Sequence, residues 1–401
     1  MLANTWYFRR VSLVVQKYGG SSLASPKHIR RAAERLRDLK ASGKDVVVVV
    51  SAMGRMTDML VRLAHRTVQS PAEREMDMLL SVGERVSMSL LAMVLQEMGV
   101  PAISFTGSQS GIVTTNEHTN ARIIDIRAHR IREELAKNKV VIIAGFQGVS
   151  ETKEVTTLGR GGSDTTAVAL AAELGADVCE ILTDVDGILT ADPRVVPSAG
   201  LISECSYDEA LELSSRGAKL QSRSVEVAKR FNVPVRVAPA KDPGAPGTLI
   251  QNPTKRDLER SIIRGVATRD GLAFFRARGG IEKIRNVLQE ERITTRHFQV
   301  GNGECSWLAD ATCSARLRDR LMRSGMAFEE NSKACLVSVV GESISDSREV
   351  MSQFLETVGE SGAEVIALAS NSLSLCVAVD AAHKPELARR LHQRFIESAP
   401  I

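Results

Sequence analysis

The sequence predicts an α/β protein, one mostly parallel sheet covered by helices on both faces, followed by two small α+β units. Three observations carry this. Asp45–Val50 is a continuous β-branched run, the pattern of a parallel strand buried on both sides. Strand-like and helix-like stretches then alternate as far as residue 250. Beyond a Pro/Gly-rich stretch at Asp242–Pro253, the chain repeats itself as βαββαβ and then βαββα.

In chain order, residues 1–10 form an extension without the apolar core and cleavage site of a signal peptide. Val11–Gln16 reads as a strand and runs into Lys17-Tyr-Gly-Gly-Ser-Ser22, after which Pro26 opens a helix to about Leu39. A strand, a Gly-Gly turn and a helix make a phosphate cradle, with Lys17 as a point charge beside it. No GxxxxGK[ST] and no GxGxxG after a strand occurs, so neither a P-loop nor a dinucleotide fold is supported. A long helical region, Glu73 to Met98, holds Gly83-Glu84-Arg85, and further strands are expected at Ala102–Phe105, Val140–Ala144, Val178–Thr183 and Val233–Val237.

The second glycine turn is Thr156-Thr-Leu-Gly-Arg-Gly-Gly-Ser-Asp164, leading into an Ala/Leu-rich helix that Gly175 closes. Gly159, Gly161 and Gly162 let several N–H groups face one anion where the helix adds its partial positive charge. Arg160 supplies a fork matched to a carboxylate or phosphate, and Asp164 a carboxylate one turn on. Taken alone, each turn could simply cap a helix. Asp184 and Asp186 follow a strand, where carboxylates suit a nucleotide's hydroxyls or its Mg²⁺, although an Asp-Gly turn explains them too.

Composition narrows the partners. Of 401 residues, 25% are charged and 43% hydrophobic, with a net charge of +4, which gives no reason to invoke nucleic acid or a membrane. No apolar run reads as a membrane span. The six cysteines show neither a CxxC pair nor zinc spacing, as expected of thiols in a reducing cytoplasm.

Taken together, Lys17-Tyr-Gly-Gly-Ser-Ser, Phe105-Thr-Gly-Ser-Gln109, Ala144-Gly-Phe-Gln-Gly148, the Thr156–Asp164 run and Thr183-Asp-Val-Asp-Gly187 resemble aspartokinases, in order and spacing, over residues 11–250. The likeness is to the monofunctional, lysine-pathway type of actinobacteria. It implies the amino-acid kinase fold in 11–250, a linker at 251–261, and ACT-like domains at 262–332 and 333–401. It further implies ATP and Mg²⁺ as cofactors, L-aspartate as substrate, and a cytoplasmic enzyme of lysine and threonine biosynthesis. A kinase of another acidic amino acid, or a weakly catalytic regulatory homologue, remains the alternative.

An aspartate side chain is already a carboxylate at neutral pH, so its kinase needs no general base. Catalysis reduces to bringing two anions in line and neutralising the charge between them. The resemblance gives Lys17 the transferring phosphoryl group, with Tyr18, Gly19 and Gly20 beside it, and has Asp164 orient Lys17. It gives Arg160 a carboxylate of aspartate and Glu84 its amino group, with Ser51, Thr57, Gly161, Gly162 and Ser163 lining the pocket. Thr183, Asp184, Leu189, Arg194 and Lys219 fall to the nucleotide. Leu189 stands where the family carries an aromatic residue, which weakens stacking on adenine. Between Lys219 and Arg223 the chain is one residue short of the family pattern.

Two regulatory expectations follow. The family holds its effector amino acid with a Pro-Gly loop and an Asn/Asp-bearing strand. Here the loop reads Arg276-Ala-Arg-Gly-Gly280 and the strand Arg292-Ile-Thr-Thr-Arg-His-Phe-Gln299, and the second loop, Ser345-Asp-Ser-Arg348, also lacks Pro-Gly. Lysine and threonine are therefore expected to inhibit weakly or not at all. No methionine lies between Met98 and Met322, so no ATG start for a separate regulatory chain exists there, and a homodimer of full-length chains is expected.

Overall fold

The computed structural model describes residues 12–216, 221–252, 262–344 and 347–398, so the extension at 1–10 and most of the expected linker lie outside the described residues. Two compact units emerge. The first comprises described residues 12–188, 203–207 and 221–252, and the second takes up the rest, including 189–202 and 208–216.

In chain order the elements begin with β1 (Leu13–Tyr18), α1 (Pro26–Ala41), β2 (Asp45–Val50), α2 (Met56–Thr67), α3 (Glu73–Leu80) and α4 (Val82–Glu97). Next come β3 (Ala102–Phe105), β4 (Ile112–Thr114), β5 (Ile123–Ile126), α5 (His129–Ala136), β6 (Val140–Ala144), β7 (Gln147–Ser150) and β8 (Val155–Thr157). They are followed by α6 (Gly162–Leu174), β9 (Val178–Thr183), β10 (Glu204–Cys205), α7 (Tyr207–Arg216), α8 (Ser222–Phe231), β11 (Val235–Pro239) and β12 (Thr248–Ile250).

The main sheet runs β10-β12-β11-β9-β1-β2-β6-β3, and from β11 to β3 every pairing is parallel. Tyr18 pairs with Val50 and Leu182, Val50 with Ala144, and Leu182 with Ala238. These residues form one row, so the turns after β1, β2, β6 and β9 all open at the same carboxyl edge, where open α/β sheets take ligands. β1 runs two residues further than its apolar stretch predicts. Lys17 is carried along because it pairs with Val49 on one side and Ile181 on the other.

β2 is buried on both faces, as its composition requires. Val46, Val48 and Val50 meet Ile29, Ala33 and Leu36 of α1 and Leu91 and Leu95 of α4. On the other face Val49 looks toward Ser163, because a Cβ built on Gly145 would touch both side chains. There α6 packs on β1, β2 and β9, and its Gly, Ser, Thr and Ala surface lets it come close. Gly175 ends the helix in the left-handed region, with the Ala176 N–H bonded to the Ala171 carbonyl.

Three differences from expectation concern this unit. The region Glu73 to Met98 is two helices rather than one, meeting at Ser81. By length and composition Glu73–Glu97 could cross a membrane, but its Met88–Leu91–Leu95 side is built into the core and it carries a buried glutamate. The Pro/Gly-rich stretch is not all linker, since β12 folds back antiparallel on β11. A second small sheet, β5-β4-β7-β8, adds strands of three or four residues that the sequence reading does not include.

The second unit adds β13 (Ile262–Arg278), α9 (Ile281–Glu290), β14 (Arg296–Gly301), β15 (Glu304–Asp310), α10 (Ser314–Arg323) and β16 (Ala327–Glu342). It ends with α11 (Arg348–Glu360), β17 (Val365–Asn371), β18 (Ser374–Asp380) and α12 (Lys384–His392). The sheet order is β14-β15-β13-β16-β18-β17, antiparallel throughout. Two helices serve each half, α9 and α10 over Phe275 and Trp307, α11 and α12 over Val337 and Val377. The Leu387, Leu391 and Phe395 stripe is core, as its spacing predicts. Instead of two separate units, β13 and β16 each run through both halves, and β16 crosses the boundary expected at 332–333.

Candidate active site

The site grows from two glycine turns at the carboxyl edge. After β1, Gly20 lies so close to the next turn that a Cβ there would meet the Ala52 carbonyl at 2.7 Å. Its carbonyl accepts the Gly54 N–H at 2.9 Å, which ties the turn after β1 to the turn after β2. The Gly19 N–H goes to the Leu182 carbonyl at 3.3 Å, so of the two amides expected at a phosphate, Gly20's is the one without an acceptor among the described residues. Before α6, Gly161 is left-handed at φ 72°, and a Cβ there would sit 2.2 Å from the Gln221 side chain. Glycine is the only residue that fits this turn.

Between the turns lies a cavity of about 320 Å³ with Lys17, Ser51, Thr57, Glu84, Arg160 and Asp164 in its wall, together with Gly20 and the Gly161–Ser163 turn. Lys17 Nζ is 2.6 Å from Asp164 Oδ1, with both side chains mostly buried. This is a charge pair across the two turns, β1 to α6. Arg160 is exposed at the rim and makes no hydrogen bond or ion pair with a described residue.

Glu84 is 3% exposed. One carboxylate oxygen accepts the Ala52 N–H at 3.0 Å, and the other has no partner among the described residues. Burial pushes its carboxyl up to about 7, only partly offset by the hydrogen bonds from its own and the Ala52 backbone. A buried, half-satisfied carboxylate in a cavity wall gains when a cation reaches it.

A second cavity, lined by Tyr18, Thr183 and Asp184, carries three cations, Arg31, Arg35 and Lys241. Arg35 also donates to the Lys241 carbonyl. Sequence reasoning missed all three: Arg31 and Arg35 are basic residues on the amphipathic α1, which look solvated whichever way they point, and Lys241 sits in the turn after β11.

The amino acid kinase family model matches residues 12–239. An aspartokinase of Corynebacterium efficiens is 42% identical over 412 residues, covering 96% of each chain. The chain belongs to the aspartokinase family. The aspartokinase of Mycobacterium tuberculosis is 54% identical over 260 residues, 64% of this chain and 62% of that one. Escherichia coli aspartokinase III, solved in complex with aspartate and ADP, has a TM-score of 0.82 at 25% identity, over 96% of this chain and 99% of that one. The main sheet with its covering helices is thus the amino-acid kinase fold.

The residues expected of an aspartokinase are not all gathered in one place. The six functional side chains of the first cavity come from β1, from the turn after β2, from α2, α4 and α6, and from the second glycine turn. Leu189 and Arg194 belong to the second unit, where Leu189 bridges Leu201 and the exposed Arg194 pairs with Asp192 at 2.6 Å. Lys219 lies outside the described residues. Arg223, next to the one-residue deletion, donates to the carbonyls of Leu158 and Ala121 and so props the Arg160 turn from below.

Proposed function

We propose that this protein transfers the γ-phosphoryl group of ATP to the side-chain carboxylate of L-aspartate, forming 4-phospho-L-aspartate. One observation carries the reading: a guanidinium and a buried carboxylate oxygen, both without a partner among the described residues, share a cavity with the Lys17–Asp164 pair. Arg160 and Glu84 would hold the carboxylate and amine of an amino acid, leaving its side chain toward Lys17. Ser51, Thr57 and the Gly161–Ser163 turn complete the pocket. Lys17, oriented by Asp164, would spread charge on the moving phosphoryl group, and Tyr18, Gly20, Thr183 and Asp184 lie on the nucleotide side.

The donors present fit Mg²⁺ delivered on the phosphates, since no group of three or more His, Cys, Asp or Glu among the described residues is placed to cage a metal. Asp184 and Asp186 would face it, and it would offset phosphate charge. Acyl phosphates react with hydroxylamine, so aspartyl hydroxamate should accumulate only when ATP and aspartate are both present. Hydroxamate formed from glutamate instead would favour the other acidic-amino-acid kinase.

The assembly we propose is a homodimer through the ACT-like halves. The outer strand β14 leaves Phe298 and Val300 exposed, apolar side chains at the rim of the sheet. A monomer in sedimentation at assay concentration would contradict this. The cysteines among the described residues form no disulfide and are mostly buried, which supports a cytoplasmic setting, and the family resemblance puts the product in amino-acid biosynthesis.

Feedback by lysine or threonine is expected to be weak. Arg276, where a family loop would receive an effector, pairs with Glu329 at 3.1 Å, and Arg278 with Glu304 at 2.5 Å. Of the other loop, at 345–348, residues 345–346 lie outside the described residues, and Ser347 caps α11 by accepting the Val350 N–H. An effector amine bound without an acidic partner costs at least about 3 kcal/mol, a hundredfold or more in affinity. Half-inhibition by millimolar lysine, threonine or both at subsaturating aspartate would refute this.

A further inference from the structure

Asp77 is the most deeply buried acid near the site, 0% exposed on α3, yet it touches neither cavity. Four contacts converge on it. Thr157 Oγ1 donates to Oδ1 at 2.5 Å, and His118 Nδ1 lies 2.7 Å from Oδ2. The Thr119 N–H is shared between the two oxygens at 3.0 and 3.1 Å. Thr119 is left-handed at φ 63°, a conformation that side-chain-bearing residues adopt only when held there.

What Asp77 grips leads straight to Arg160. Thr157 stands three residues before it, and the Ala121 N–H donates to the Thr157 carbonyl at 2.9 Å. The clamped 119–120 backbone packs under Gly159, where a Cβ would meet the Thr119 carbonyl at 3.0 Å and Asn120 Oδ1 at 3.1 Å. Asp77 also lies two helical turns before Glu84. Ser81, at the junction of α3 and α4, keeps right-handed backbone, and its carbonyl is held by Gln147 Nε2 at 2.9 Å.

We infer that Asp77 is a positioning residue that sets the distance from the Glu84 amine grip to Lys17, and thereby the length of acidic amino acid the pocket accepts. One end of the ruler is the helix pair that bears both Asp77 and Glu84. The other is the turn that Asp77 locks through Thr157 and Thr119, which carries Arg160 and leads into α6, where Asp164 holds Lys17 at 2.6 Å. Glutamate is one methylene longer than aspartate, and a fixed span rejects it where an elastic one does not. The inference rests on reading Glu84 and Arg160 as the amine and carboxylate grips.

The test uses the full-length enzyme with Arg160→Lys, Asp77→Asn, Thr157→Val and the pairs of each with Arg160→Lys. Arg160→Lys alone examines the underlying reading, which requires KM for aspartate to rise much more than KM for ATP. An equal rise in both overturns that reading, and the inference with it. Given the expected rise, Asp77→Asn should raise KM for aspartate about tenfold, leave KM for ATP within about twofold, and lower the aspartate-to-glutamate ratio of kcat/KM by about tenfold. Paired with Arg160→Lys, its effect should shrink, because both changes act on one grip. Thr157→Val removes a single bond from an isosteric side chain and decides the matter if Asp77→Asn fails to fold. An unchanged aspartate-to-glutamate ratio, equal losses for both substrates, or full additivity with Arg160→Lys overturns the ruler while leaving the grips standing.

Discussion

Replacing Lys17 with alanine is expected to lower turnover by roughly 10²-fold or more, as when one preorganised donor is removed from a developing charge. Lys17 Nζ is held on Asp164 Oδ1 at 2.6 Å, so its position is fixed before substrate arrives. Aspartate carboxylate and ATP are both anions, and their approach is opposed until a cation stands between them. The loss should appear in kcat more than in KM for aspartate, because the amino acid's own grips are elsewhere. Steady-state kinetics decide this, and a variant with more than half its turnover would show that Lys17 is away from the phosphoryl group.

The second large effect is expected at Glu84. Burial pushes its carboxyl up to about 7 from the ordinary 4.5, and one of its oxygens has no partner among the described residues. Held ionised in the empty protein, it costs the fold roughly 3 kcal/mol. The sign matters. Between pH 4.5 and about 7 the folded protein binds a proton that the unfolded chain has released, so stability falls as pH rises through that window. Glu84→Gln removes this dependence. The ligand-free variant should unfold at a higher temperature than the parent at pH 8 and at nearly the same temperature at pH 4.5. It should also lose aspartate binding by about a hundredfold or more, because the substrate ammonium is then desolvated against a neutral amide. In the parent, KM for aspartate should climb as pH falls below about 7, with KM for ATP nearly level. Thermal unfolding at both pH values, with KM profiles, checks all of this; a variant no more stable at pH 8 would remove the physical basis of the grip.

Much of this site was legible in the sequence because its parts are local. Gly19-Gly20 and Gly159–Gly162 sit at strand-to-helix turns that periodicity locates, and the residue types beside them name the chemistry. The Lys17–Asp164 pair was implied by the family motif, and the fold brings the two side chains together across β1 and α6. What stayed hidden depends on long-range packing. Asp77 reads as one more acid on a charged helix, and only its burial against Thr157 and Thr119 gives it meaning. The fusion of the last two units was hidden for another reason. Register shifts at Ile263/Gly265 and Arg269/Leu272 break the period-two pattern of β13, so a 17-residue strand looks like a short one. Leu189 and Arg194 follow the nucleotide motif in sequence, but the chain from 189 to 202 packs with the second unit, Ala191 and Val196 entering its core.

Aspartate-dependent phosphoryl transfer can be read from coupled measurement of ADP release by the purified full-length protein, with ATP and Mg²⁺ and with aspartate, glutamate or buffer alone. Release that depends on aspartate and stays at the buffer level with glutamate is the predicted result. Equal release with glutamate, or release that no amino acid alters, would contradict it.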